Sequence, residues 1–399
     1  MSIFVPQGPT IPPSVNFSTM YSSLASITTQ VSNQPQQFQV VVPNNSLAVS
    51  QDGSTAVVGN SSGVGFISIW INIGSTWIQQ AGPLVGTGNT GNSQQGTSVA
   101  ISANGNTVIT GGPSNNSNAG AVWVWVRTGT SWTQQAGPLV GTGAIGNAIQ
   151  GYSVSLSASG NTAIWGGYDD NGGIGATWVF TRTGTTWSQL SNKLVGTGYI
   201  GTPDQGTSVA ISADGLTLAV GGDEDNSSMG ATWIFVNVLG TWTQQAKLVG
   251  TGVIGSYSYQ GYSVSLSGNG NSVISAGPYD NSEVGATWVF TRIGSVWTQQ
   301  QKLIGTGFTY SDPYQGYPVV TITTDGLTIL IGGCYDGDEI GAFWIFKLIG
   351  NTWVQQGLKV ITNANTVPLS LFSISLACNA TGSIIFAGSS EAFYVLSFL

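Results

Sequence analysis

Apolar and polar positions alternate one by one through short runs such as "SVAIS" (98–102) and "SVSLS" (153–157 and again 263–267). A period of two marks a strand with one buried face. Each run is followed by an Asn-Gly, Ser-Gly or Asp-Gly pair, the strongest short-range hairpin signal. A more continuously apolar run comes next, "TVITGG" (107–112) or "TLAVGG" (217–222). After a loop comes "GATWVF" (175–180), in which Trp178 and Phe180 share one face. Gly-Thr then turns the chain into a fourth run, such as "TWTQQAKLVG" (241–250), and a glycine-rich loop, "TGYIGTPDQG" (197–206), leads to the next unit. Helical periodicity is absent. The predicted unit is four antiparallel strands, A to D.

The unit recurs along the chain, which decides the architecture. The A–B turn glycine falls at Gly53, Gly105, Gly160, Gly215, Gly270, Gly326 and Gly382. The strand D tryptophan falls at Trp77, Trp132, Trp187, Trp242, Trp297 and Trp353. Seven four-stranded antiparallel units predict an all-β fold, a seven-bladed β-propeller over residues 34–399. An open β-solenoid, the alternative, uses much shorter repeats. The last unit stops after strand C, whereas "QPQQFQVVVPNNSLAVS" (34–50) reads as a strand D followed by a strand A. A strand at about 37–42 is therefore expected to complete the last blade, closing the ring and removing an exposed edge. Residues 1–33 precede the repeat and hold Pro6, Pro9, Pro12 and Pro13. They read as an arm, packed along the propeller or gripping a neighbouring subunit.

Composition narrows the function. Only 6% of the 399 residues are charged, and the net charge is −8. Nucleic acid is a poor partner for such a chain, because binding it requires a basic patch. No run of about 18 apolar residues suggests a membrane span, and the first residues carry no Sec-type signal pattern. The chain has no histidine, which excludes Ser-His-Asp and Cys-His catalysis and the usual zinc sites. It has no P-loop. Cys334 and Cys378 are expected on opposite faces and unpaired, since a disulfide needs close Cα atoms.

The units resemble FG-GAP repeats, the blades of integrin-α-type propellers. The resemblance lies in "GTSVAIS" (96–102) and "GYSVSLS" (151–157), in "TGGP" (110–113) and "SAGP" (275–278), and in "GAVWVW" (120–125). It covers all seven units, most clearly the second to the sixth. Two features depart from it. Phe-Gly becomes Gln-Gly at Gln95, Gln150, Gln205, Gln260 and Gln315. The Asp-x-Asp-x-Asp-Gly loop is replaced by turns such as "SADGLT" (212–217) with one carboxylate, too few oxygens for calcium. Calcium sites are therefore not expected, nor is any cofactor. The resemblance implies recognition, adhesion or assembly at an extracellular, cell or virion surface.

Ten of the 16 acids are expected in the B–C loops: Asp169, Asp170, Asp223, Glu224, Asp225, Asp280, Glu283, Asp336, Asp338 and Glu339. With Asp204 and Asp312 of the D–A loops they predict an acidic crescent on one face. Three accounts stand: solvated turn residues, a crescent that draws cations or a basic partner, or a catalytic pair as in glycoside hydrolysis. Arg127, Arg182, Arg292 and Lys347 end strand C on the opposite face. Lys193, Lys247, Lys302 and Lys359 lie on strand D, giving an expected axial polarity of acids against bases. Tyr152, Tyr262 and Tyr317 follow Gln-Gly and are candidate contacts at the channel mouth. Trp178, Trp233 and Trp288 read as inter-blade core rather than sugar platforms. Sequons occur at Asn16, Asn44, Asn60, Asn115, Asn226 and Asn379. The expected role is a non-enzymatic building block or interaction module whose partners are protein subunits, including copies of itself. A glycan- or cation-binding lectin-like propeller is the alternative, and a carboxylate hydrolase a remote one.

Overall fold

The computed structural model describes residues 36–38, 45–74, 76–309, 312–361, 374–389 and 393–397. They form seven four-stranded antiparallel sheets, the blades of a β-propeller. Blades 1 to 6 span residues 45–84, 98–139, 153–189, 208–248, 263–303 and 320–355. In blade 4 the strands are A Ser208–Ile211, B Thr217–Gly222, C Ala231–Val238 and D Thr241–Leu248. Blade 7 consists of Ser375–Cys378, Ile384–Gly388 and Phe393–Ser397, with Gln36–Phe38 antiparallel to the last. Of the closing strand expected at 37–42, residues 39–42 lie outside the described residues, as does the arm.

Strand A lines the axis and packs on strand A of the next blade. A circle of peptide hydrogen bonds joins the A–B turns. Gln51 N donates to Ala103 O, Ala103 to Ala158, Ala158 to Ala213, Ala213 to Gly268 and Gly268 to Thr324, at 2.9–3.1 Å. Asp325 N then donates to Ala380 O at 3.3 Å, and Ala380 N to Gln51 O at 2.9 Å. Blade 7 thus meets blade 1 through backbone at the axis. Alanine or glycine fills most of these positions because the turns converge: a Cβ on Gly268 would stand 2.4 Å from Thr324 Cγ2.

The core lies between blades. Trp123, Trp178, Trp233, Trp288 and Trp344 of strand C are fully buried. Each indole N–H donates at 2.9 Å to a threonine carbonyl in the preceding D–A loop, for example Trp233 to Thr197. The residue before that threonine must be glycine. A Cβ on Gly196 would lie 2.2 Å from Trp233 Cδ1. Burying such an indole contributes on the order of 2–3 kcal/mol, and its N–H is satisfied without water. These tryptophans are inter-blade core, as predicted, and present no sugar platform.

Candidate functional site

The B–C and D–A loops share one end of the ring, here the loop face. The Gln-Gly pair fixes both sets. Gln205 is buried, and its side-chain amide acts as a third peptide unit: Oε1 accepts Gly196 N–H and Nε2 donates to Gly196 O. Gln95 and Gln150 hold Gly86 and Gly141 in the same way. The backbone of Gln95, Gln150, Gln205, Gln260 and Gln315 bridges in parallel to Gly65, Gly120, Gly175, Gly230 and Gly285 respectively, each just before a strand C. Phenylalanine could fill the space but not make these bonds. The departure from Phe-Gly therefore has a structural reason.

One residue earlier, Gln94, Ile149, Asp204, Tyr259 and Tyr314 all adopt left-handed backbone, with φ between 50° and 58°. That conformation is uncommon for side-chain-bearing residues and costs free energy. The ring of loops holds it at five equivalent places while the side chain varies from blade to blade.

The acids of the crescent divide into two groups. Asp170, Asp225, Asp280 and Asp336 are buried. Their Oδ1 atoms accept the N–H of Ile145, Ile200, Ile254 and Thr309, each at 2.8 Å. Their Oδ2 atoms pair with Lys193, Lys247, Lys302 and Lys359, at 2.6 Å for Lys247–Asp225 and 2.5 Å for Lys302–Asp280. These four are staples between the strand D segment of each blade and the loops, not docking groups. The expected placement and axial polarity are corrected accordingly: Lys247 and Lys302 lie on strand D, Lys193 and Lys359 just beyond its end, and all four reach the acidic face and are spent there. A buried carboxylate needs its cation. Blade 2 shows the same rule from the other side. It has Pro138 in place of the lysine, and the neutral Asn115 replaces the acid while keeping the 2.8 Å bond, to Thr90 N.

Asp169, Asp204, Asp223, Glu224, Glu283, Asp312, Asp338 and Glu339 have no ion-pair partner among the described residues. Asp204 and Asp223 stand apart from the rest. Burial, reinforced by Asp223, Glu224 and Asp169, raises the Asp204 carboxyl to about 7. Burial raises Asp223 to about 6, and its Oδ1 has no hydrogen-bond partner. Among the described residues no three His, Cys, Asp or Glu side chains are arranged to hold a metal ion.

Tyrosines accompany the acids. Tyr152 is 36% exposed and meets Tyr168 edge-on at 4.7 Å; Tyr262 meets Tyr317 at 5.1 Å. Sequence reasoning named Tyr152, Tyr262 and Tyr317 as candidate channel-mouth contacts but missed Tyr168 and the larger cluster beside them. Tyr279 and Tyr335 immediately precede the staple acids Asp280 and Asp336, and Tyr314 holds the left-handed position. Ring centroids lie 5.3 Å apart for Tyr279–Tyr314, 5.2 Å for Tyr314–Tyr335 and 5.6 Å for Tyr317–Tyr335. Glu283 stands beside the Tyr314 phenol and helps to raise it. Burial raises the Tyr279, Tyr314 and Tyr335 phenols, so they stay neutral. These rings wall an open pocket of about 660 Å³ that Asp312, Asp338 and Glu339 complete.

The opposite, turn face differs. Arg127, Arg182 and Arg292 donate to Asn106, Asn161 and Asn271 and lie over Trp132, Trp187 and Trp297 at 5.2–5.5 Å. Asp52 and Asp214 stand near Arg127 and Arg292. Cys334 and Cys378 are both free, their thiols pushed up to about 12 by burial. No helix among the described residues is long and apolar enough to cross a membrane. No known protein family matches the chain, and no curated protein matches it significantly.

Proposed function

We propose that the chain is a non-enzymatic interaction propeller, a subunit of a larger assembly, and that it docks its partner on the loop face. The observation that carries this is charge segregation. Twelve of 16 carboxylates and four of eight cationic side chains lie on that face, a formal balance of −8, equal to the formal net charge of the whole chain. An uncompensated field of one sign steers a basic partner, and tyrosines are favoured anchors once it docks. Head-to-tail stacking finds less support. Arg127, Arg182, Arg292 and Lys347 on the turn face are nearly balanced by Asp52, Asp214 and Asp325, and the arginines are engaged within their own ring. The basic partner is therefore another protein. Its setting at a cell or particle surface rests on the repeat resemblance.

A glycan-binding role would have to use the tyrosines, since the strand C tryptophans are buried. A hydrolase would have to use Asp204 and Asp223, the one acid pair set apart by its environment.

The test is surface plasmon resonance of the full chain against immobilised Lys/Arg-rich and Glu-rich peptides at rising salt. Native mass is measured in parallel. Salt-sensitive binding to the basic set is expected. It should disappear when Asp169, Glu224, Asp338 and Glu339 are all made amides, and persist with Asp214→Asn on the turn face. A 41.2 kDa monomer that ignores both peptide sets overturns the proposal.

A further inference from the structure

We infer that the pocket walled by Tyr279, Tyr314, Tyr317 and Tyr335 receives an arginine side chain, its guanidinium stacked on the tyrosines and paired to the carboxylates of Asp312, Asp338 and Glu339. This rests on the loop-face reading and names what the face grips. The first argument is charge. Three acids line the pocket, and among its described lining residues none is basic. All four lysines of the face are held by buried aspartates, so nothing in this face neutralises the pocket.

The second argument is shape. A cage for a rounded ammonium needs rings spread around a gap. Here neighbouring ring centroids lie 5.2–6.5 Å apart, with Tyr314 edge-on to Tyr279, Tyr317 and Tyr335, so the rings pack on one another along the pocket. They form a wall. A flat guanidinium can lie against a wall and still point its N–H fork at carboxylates along the edge, which a lysine ammonium cannot do. The neutral phenols add no repulsion. The third argument is size. A pocket of about 660 Å³ is more than one side chain fills, so residues flanking the arginine enter with it. That favours a loop or tail of a protein over a free amino acid.

The experiment is calorimetric titration of the full chain with acetyl-Gly-Arg-Gly-amide, its citrulline counterpart, its lysine counterpart, tetramethylammonium chloride and a neutral disaccharide. Citrulline keeps the shape of arginine and loses the charge. Saturable binding of the arginine peptide is expected, weakened about tenfold or more by citrulline and less by lysine, with no binding of tetramethylammonium. The pair Asp338→Asn/Glu339→Gln lies on exposed loop positions and should keep the fold while losing about tenfold in affinity. Asp214→Asn, on the turn face, should leave it within a factor of about two, and Asp169→Asn/Glu224→Gln, in blades 3 and 4, should weaken it less than the pocket pair does. Equal binding of arginine and citrulline, preference for tetramethylammonium, or binding of the disaccharide instead would each overturn the inference. If both pairs weaken a basic peptide equally, the loop-face reading stands and the pocket assignment falls. If no cation binds, both fall.

Discussion

Asp204 shows how one position can carry both backbone and electrostatic cost. Its φ is 56°, and its carboxyl is raised to about 7 by burial and by neighbouring acids. A raised carboxyl holds its proton more tightly in the folded chain than in the unfolded one. Its favourable contribution is therefore complete below about pH 4, the ordinary carboxylate value, and is lost as pH rises through about 7. Asp223, raised to about 6, acts in the same direction. Thermal unfolding should show stability falling between about pH 4 and 7. Asp204→Asn removes the charge and suits the left-handed backbone. It should flatten that slope and stabilise the fold at pH 8 by about 1–2 kcal/mol, allowing for the partial exposure of the group. Identical slopes in parent and variant would show that the acids are not held as described. Residues elsewhere change together in a similar way. Blade 3 has Leu190 where other blades place a second glutamine, and blade 4 has Asn237 in place of arginine. There the Trp242 indole N–H is left without a partner.

At the scale of elements, the Asp–Lys staple joins three pieces of chain. Asp225 belongs to the B–C loop of blade 4, Lys247 to its strand D, and Ile200 to the loop arriving from blade 3. Removing the lysine strands a buried carboxylate. Lys247→Met should cost about 3–5 kcal/mol in urea unfolding. Adding Asp225→Asn, which copies the neutral arrangement around Asn115 in blade 2, should recover most of that loss. Strictly additive costs in the double variant would show that the two side chains do not act as a pair. The same comparison separates staple from docking group, because Asp338→Asn or Glu339→Gln touches no such partner and should leave stability within about 0.5 kcal/mol.

For the whole molecule, the circle of turn hydrogen bonds joins blade 7 to blade 1 at the axis. The outer edge of blade 7 is a separate matter. We propose that the N-terminal segment, seen as Gln36–Phe38 beside Phe393–Ser397, supplies its fourth strand. Gln36 and Val395 are register partners. Cysteines at those two positions should form a specific intramolecular disulfide on oxidation, mapped by peptide mass, and raise the melting temperature. If the two thiols stay reduced or couple only between molecules, the segment lies elsewhere and the edge is free to pair with another chain.

The repeat, the four-strand unit and the bladed ring were legible in the linear chain because strand alternation and turn chemistry are local, and recur every 52 to 56 residues between turn glycines. The loop face was legible as well, since topology alone sends the B–C and D–A loops to one end. Which acids face solvent was not. Asp169 and Asp170 are neighbours in the chain, yet one is exposed and the other is buried against Lys193. Charge pairing depends on side chains 23 residues apart meeting at the end of a sheet. The tyrosine wall was hidden for the same reason. Its members come from B–C and D–A loops of blades 5 and 6, far apart in the chain, and only the packing of one blade on the next brings their rings into contact.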